Sequence, residues 1–216
     1  MDDCDPQQLN NTYRHFRTIN RLLSQWRVIY KQEIKPVLEQ LQRPATLLDI
    51  GFGGGDVPIH ILEMAKKDGF ELSITAIETD ARALNFVASI DSPKEITFLH
   101  CSSNDLVQQK MTYDFVLSNH LVHHLDEQTF TSVLNDAQLL ASQKVLFNDI
   151  ERSDIGYALY AIFSRLLFRN SFVVYDGSLS IRRSFTLSEL KAITPSDWRV
   201  RRIFPFRLLL THTARG

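Results

Sequence analysis

The chain has 216 residues, of which 44% are hydrophobic and 23% charged, with a net charge of -1 and two cysteines, Cys4 and Cys101. This composition excludes a collagen-like or disordered chain, a disulfide framework and a cysteine metal cluster, and the length suits one domain with a sizeable core. The most apolar window, Ile155 to Phe168, contains Arg165 and is shorter than the roughly 20 residues of a membrane span, so no membrane span is expected. The opening Met-Asp-Asp-Cys-Asp is acidic where a secretory leader is basic, which together with the sparse cysteines predicts a cytoplasmic protein. Charge is unevenly spread: residues 1–150 carry net -7 and residues 151–216 net +6. Without an overall basic balance the C-terminal charge reads as a solvated surface, and no nucleic-acid partner is expected.

The first segment places Leu9, Tyr13, Phe16, Ile19, Leu23, Trp26, Tyr30, Ile34, Val37 and Leu41 at steps of three and four, a helical spacing with one buried face. Pro36 is expected to kink or split it, because proline lacks the N–H and crowds the preceding turn.

Residues 46–56 follow, Thr-Leu-Leu-Asp-Ile-Gly-Phe-Gly-Gly-Gly-Asp. An apolar run reaches Asp49 and breaks into Gly51, Gly53, Gly54 and Gly55 before an apolar pattern resumes at Val57, which reads as strand, glycine turn and helix. Glycine suits a tight turn that a ligand approaches closely. A dinucleotide fingerprint starting at Gly51 and Gly53 requires glycine at position 56, where Asp56 would instead oppose a pyrophosphate.

The pattern present is Asp-x-Gly-x-Gly-x-Gly from Asp49 to Gly55. It resembles the first motif of the class I S-adenosylmethionine (SAM) dependent methyltransferases. The resemblance implies that SAM is the cofactor, S-adenosylhomocysteine (SAH) the product, and Asp49, Gly51, Phe52, Gly53 and Gly55 part of its site. It also implies that the leading helices, residues 1–43, cover cofactor and substrate, placing Tyr13 and Arg14 near the pocket.

After the turn, Val57 to Lys67 reads as a helix ended by Gly69, and Glu71 to Ile77 as a strand. Strand, helix and strand with short connections imply a right-handed crossover and a parallel pair. Glu78, just past the second strand and followed by Thr79, stands where a carboxylate accepts hydrogen bonds from ribose hydroxyls. A helix over Ala81 to Ser89 and a strand over Glu95 to Leu99 follow. The resembled class often places an acid or polar group beyond this strand, directed at the adenine amino group. Ser102 and Ser103 occupy that region, with Asp105 the alternative.

The fourth strand, Tyr113 to Leu117, runs into Ser118-Asn119-His120-Leu121-Val122-His123-His124-Leu125. Strand C-termini of a parallel sheet line the ligand crevice, so Asn119 and three histidines stand at its mouth. A one-helix zinc site needs His at i and i+4, a third ligand from elsewhere and often an intervening acid; no Glu lies between His120 and His124, and no metal is expected. Phosphoethanolamine methyltransferases and plant phenolic O-methyltransferases carry a histidine at the start of the helix after this strand, followed by a hydrophobic residue and acids. His124, before Leu125-Asp126-Glu127, is most similar to it. The resemblance implies that His124 removes the acceptor proton, with His120 or His123 able to replace it. A histidine suits the task because its ordinary pKa lies near neutrality.

Phe130 to Leu140 reads as a helix and Lys144 to Phe147 as a fifth strand, whose end places Asn148 and Asp149 in the same crevice as candidate substrate contacts. Alternating strands and helices indicate an α/β doubly wound, Rossmann-like sheet. Ile155 to Phe168 is apolar almost all round and is expected to be covered; Phe172 to Tyr175 and Leu179 to Ile181, joined by Asp176-Gly177, read as a hairpin. Thr186-Leu187-Ser188-Glu189 is a capping box, and two β-rich runs flank Pro205.

The expected architecture is therefore a seven-stranded methyltransferase sheet over residues 44–216, with N-terminal helices and an insertion at about 152–185 forming part of the acceptor pocket. Asn148 to Ser153 and Asp176 to Thr186 look like bacterial methyltransferases found with polyketide-forming enzymes, and the whole is similar to ubiquinone-biosynthesis methyltransferases. The resemblance implies a small phenolic or polyketide-like acceptor, methylated on a hydroxyl, and a monomer or homodimer. A nucleic-acid amine methyltransferase would carry Asn/Asp-Pro-Pro-aromatic after the fourth strand, which Ser118 to Leu121 lacks. The remaining alternatives are a methyltransferase acting on nitrogen or carbon of a different small molecule, a SAM-binding protein without transfer and a nicotinamide oxidoreductase, the last disfavoured by Asp56.

Overall fold

A computed structural model describes residues 20, 23–167 and 173–214. The candidate Tyr13 lies outside the described residues. The first described helices are α1 (Trp26–Ile29), a π-helical turn (Tyr30–Ile34) and α2 (Lys35–Leu41), with Pro36 in the first turn of α2. The helix is continuous through this point, with Lys35 N–H donating back to the Tyr30 carbonyl, and a widened turn before a proline makes room for its ring. The expected split is not found: the helical backbone runs on from Trp26 to Leu41, and only the hydrogen-bond pattern changes from π to α before Pro36.

The chain then alternates β1 (Ala45–Ile50), α3 (Asp56–Lys67), β2 (Leu72–Glu78), α4 (Ala81–Ala88), β3 (Ile96–His100), α5 (Ser103–Gln108) and β4 (Tyr113–Asn119). A 3₁₀ turn (Val122–His124), α6 (Glu127–Leu140) and β5 (Ala141–Ile150) follow. The described residues close with α7 (Asp154–Leu167), α8 (Val173–Arg183), α9 (Leu187–Ile193), β6 (Arg199–Ile203) and β7 (Arg207–Thr213). Gly69 takes the expected left-handed conformation after α3 (φ 83°), and the capping box on Thr186 and Glu189 is formed at α9.

The strands form a seven-stranded sheet in the order β3-β2-β1-β4-β5-β7-β6, parallel except for β7, which runs antiparallel to both neighbours. Alternation along each strand divides the core into two layers. Leu47, Phe115 and Leu117 pack with Trp26, Ile34, Ile61 and Phe86 on one face. Leu48, Val116 and Phe147 pack with Phe130, Leu134 and Leu190 on the other. Burial on both faces is why the strands read as apolar runs. The order reverses between β1 and β4, and a crevice outside the strand C-termini at that switch point is where such sheets bind ligands.

Two expectations for the insertion need correcting. Residues 173–183 are helical, with no hairpin at Asp176-Gly177. Gly177 serves helix packing instead: a Cβ there would run into the Tyr160 hydroxyl on α7, so the Asp-Gly pair, locally a turn signal, is a close-approach site. Arg182 caps the contact, its guanidinium 4.8 Å from the Tyr157 ring centroid and donating to the Tyr157 hydroxyl at 2.8 Å. Helix α7, expected to be covered all round, leaves Ile155, Leu159 and Ile162 68%, 44% and 60% exposed.

Candidate active site

The glycine turn is held open by left-handed backbone at Gly51 (φ 80°), Gly53 (φ 52°) and Gly55 (φ 72°). Its base is fixed by Gly51 N–H donating to the Ile77 carbonyl at 2.9 Å and Gly55 N–H to the Phe52 carbonyl at 2.8 Å. Phe52 itself turns inward, edge-on to Phe98 with ring centroids 4.9 Å apart. An added Cβ on Gly53 would meet nothing within 4 Å, whereas on Gly55 it would meet Val87 at 3.0 Å and Phe98 at 3.2 Å. Gly53 thus borders open space and Gly55 packs against α4 and β3.

Two carboxylates face this turn. Glu78 accepts from Gly53 N–H at 3.3 Å and from Thr79 and Asp80 N–H at 2.9 and 3.3 Å, so the end of β2 is stitched to the turn. Asp49 is 1% exposed, and neither of its oxygens has a hydrogen-bond partner among the described residues. Burial first, then the negative charges of Asp56 and Glu78, push its pKa well above the usual carboxylate range. A buried carboxylate without partners is costly unless a cation meets it. The ammonium of SAM is such a cation and Glu78 suits its ribose, so this donor set fits the cofactor. A cleft beside the turn is lined by Asn20, Ser24, Trp26, Asp56, Val57 and His60, among others.

Ser102 and Asp105 are committed to each other: together they form the capping box of α5, with Ser102 Oγ donating to Asp105 at 2.7 Å. Ser103 is buried and donates to Asp136 at 2.6 Å. Thr79 is exposed, and its carbonyl is 3.0 Å from His100 Nε2.

Across the switch point, β4 ends in a polar network. Asn119 Oδ1 accepts from Trp26 Nε1 and Asn148 Nδ2, both at 3.0 Å, and Asn148 Nδ2 also donates to the Ser24 carbonyl at 2.7 Å. These bonds lay the chain preceding α1 across the ends of β4 and β5. Leu121 reaches back to the glycine turn, with Cδ1 3.5 Å from where a Gly51 Cβ would stand.

The histidines meet three different environments. His123 is buried; its ring Nδ1 lies 2.6 Å from Asp149 Oδ1, and its backbone N–H donates to Asp149 Oδ2 at 3.0 Å. Burial opposes the charge on Asp149, but His123, then His120 and the Ile150 N–H, bring its pKa down to about 2. A carboxylate on Nδ1 fixes Nδ1–H and leaves Nε2 as the acceptor, and that buried Nε2 has no partner among the described residues. His124 is exposed and lies against His123, the ring centroids 4.1 Å apart and the planes tilted by 40°. The protein packed around it, then His123 and Arg183, push its pKa down to about 4, against a pull from Asp149. His120 stands outside the 3₁₀ turn with left-handed backbone (φ 59°), so the three rings do not share a helical face. Its Nε2 is bonded by Arg207.

Arg207 and Trp26 are the residues that sequence reasoning missed. Trp26 reads as part of an apolar stripe, and its indole N–H shows only once Asn119 is opposite. Arg207 opens the run Leu208-Leu209-Leu210, and a charged residue heading a buried strand was the available signal.

Residues 47–142 match a family profile described as a methyltransferase domain. No curated protein matches the sequence significantly. Among solved structures, the plantazolicin methyltransferase BpumL in complex with SAH is similar at a TM-score of 0.65 and 13% identity, covering 97% of this chain and 95% of that one. The methyltransferase domain of a bacterial Hen1, CtHen1-CN, aligns at 0.55 and 16%, covering 83% and 95%. Magnesium protoporphyrin IX methyltransferase (ChlM) from Synechocystis PCC 6803 with bound SAH aligns at 0.51 and 13%, covering 94% and 99%. The methyltransferase match over the glycine turn and β4, the sheet order and a turn whose orphaned Asp49 fits the cofactor agree that residues 47–142 are a SAM-dependent methyltransferase domain.

Proposed function

We propose that the protein methylates a hydroxyl of a small phenolic or polyketide-like acceptor, with His123 as general base and Asp149 as the group that orients it. The observation that carries this reading is the His123–Asp149 pair, whose buried Nε2 is left without a hydrogen-bond partner among the described residues. A base held by a third group is the arrangement that activates a weak oxygen nucleophile. Among the described residues His124 has no such orienting partner, and His120 has its Nε2 occupied, which is why the base moves one residue from the position favoured by resemblance.

SAM supplies a methyl group already activated on a sulfonium. The chain's part is to hold the acceptor oxygen in line with that methyl, about 3 Å away with water excluded, and to receive its proton. Asp49 and the amides of the glycine turn would hold the amino acid end of the cofactor, and Glu78 its ribose. Asn148 leaves a buried Oδ1 unpartnered among the described residues, one position before Asp149, and would accept a hydrogen bond from the acceptor. Residues 1–43 would act as a cover, a role supported by the bonds from Ser24 and Trp26 to Asn148 and Asn119. Helix α8 packs on the 3₁₀ turn, which supports the insertion as a wall of the acceptor pocket.

The test is His123→Ala assayed with SAM and a panel of phenols. Turnover is expected to fall about 10²-fold or more, with SAH affinity by calorimetry nearly unchanged. Normal turnover in His123→Ala, with loss in His124→Ala, would transfer the role to His124.

A further inference from the structure

Arg207 heads β7 opposite Ile150, beside the base pair, and is 4% exposed. Its Nε donates to the Leu23 carbonyl at 3.0 Å and its Nη1 bonds His120 Nε2. A guanidinium only donates, so the His120 nitrogen it meets must be unprotonated. The ring therefore carries its hydrogen on Nδ1 and cannot take a second proton while the bond stands.

We propose that Arg207 is a positioning residue that keeps His120 neutral and out of the proton transfer, leaving Asp149 to serve His123 alone. The proposal rests on reading His123 as the base. Asp149 attracts both imidazoles, and without Arg207 a protonated His120 would compete for the same carboxylate. The charged and titratable groups that bear on His120 are Arg207 on β7, Asp149 on β5, and His123 and His124 on the 3₁₀ turn. Burial and Arg207 hold His120 well below the ordinary histidine range, and only Asp149 pulls the other way. The bond to Leu23 gives the same guanidinium a hold on the segment before α1, so the cover and the protonation state of the site share one residue.

The experiment follows His120 ring resonances by NMR in the full chain with labelled histidine, in wild type, Arg207→Gln and Arg207→Lys, alongside kcat against pH. In wild type and Arg207→Lys, His120 is expected to stay neutral well below the ordinary histidine midpoint of about 6.5. In Arg207→Gln its midpoint rises toward that value, and kcat falls at pH 6 while recovering at pH 8. A merely structural role would lower thermal stability in both variants without separating them by charge. The proposal is overturned if His120 titrates at the ordinary value in wild type, a result that needs no variant, or if Gln and Lys move it equally. Should His123→Ala retain turnover, the base assignment fails, yet the His120 shift in Arg207→Gln remains to be read by NMR.

Discussion

Asp149 grips His123 twice, through the ring nitrogen at 2.6 Å and through the backbone N–H at 3.0 Å, so one carboxylate fixes both the position of the residue and the tautomer of its ring. Asp149→Asn preserves the shape but presents either a neutral acceptor or a competing donor to Nδ1. Under the proposed mechanism, kcat is expected to fall about 10²-fold or more with KM for SAM little changed. Because the carboxylate is buried and its pKa is about 2, the wild-type fold carries a stabilisation that is complete above the unfolded value of about 3.9 and is lost as pH falls toward 2. Urea melts between pH 5 and 2.5 should show that loss in the wild type and a smaller one in the variant.

The depressed pKa of His124 makes a separate prediction with a definite sign. With a folded pKa of about 4 against about 6.5 unfolded, the unfolded chain binds a proton between these values that the folded ring does not. Its contribution to stability is therefore present above pH 6.5 and is lost as pH falls toward 4. His124→Gln should flatten the stability profile in that window, measured by melts at pH 7, 6 and 5. Turnover at pH 7.5 is expected to drop much less than in His123→Ala.

Asp49, buried at the end of β1 beside Asp56 and Glu78 with no hydrogen-bond partner among the described residues, is expected to destabilise the free protein. A raised pKa means that the folded state holds a proton the unfolded state releases, so stability falls as pH rises from the ordinary carboxylate range through the folded value. Asp49→Asn is therefore expected to melt at a higher temperature than wild type without ligand. With SAH the order should reverse under the proposed binding mode: losing a charge-assisted bond to the ammonium, about 1.5–3 kcal/mol, would weaken binding about 10- to 100-fold. The pair of measurements is a thermal melt with and without SAH and a titration calorimetry Kd.

How far the sequence carries to this site can be judged from the same residues. The glycine turn, Glu78 and the histidine segment are each local signals at strand ends, and β1, β2 and β4 place them around one switch point as the periodicity implies. What the sequence leaves open is pairing across long separations. Nothing near position 123 tells which histidine Asp149 will hold, because the choice depends on β4 lying beside β5 in the register Asn119 to Asn148. Arg207 reaches the site only through the antiparallel turn-back of β7 on β5. Asp176-Gly177 failed as a turn signal for a related reason: the tertiary contact with Tyr160 selects a helix where the dipeptide alone favours a hairpin.

Gly53 and Gly55 separate binding from folding within one turn. Both have left-handed backbone, so alanine at either position carries a strain of about 1–2 kcal/mol. At Gly53 the new methyl enters open space, and strain is the whole cost to the fold. At Gly55 it also presses on Val87 at 3.0 Å and on the Phe98 ring at 3.2 Å, adding overpacking of about 1–3 kcal/mol. Gly55→Ala should therefore lose more stability in urea than Gly53→Ala. SAH binding should show the opposite emphasis once stability is held constant: Gly53 N–H faces Glu78 at the tip of the turn, and under the proposed placement of the cofactor a methyl there would stand in its path. Gly53→Ala is expected to weaken SAH about tenfold while remaining folded at 25 °C. Equal Kd values for Gly53→Ala and wild type would remove the cofactor from the tip of the turn.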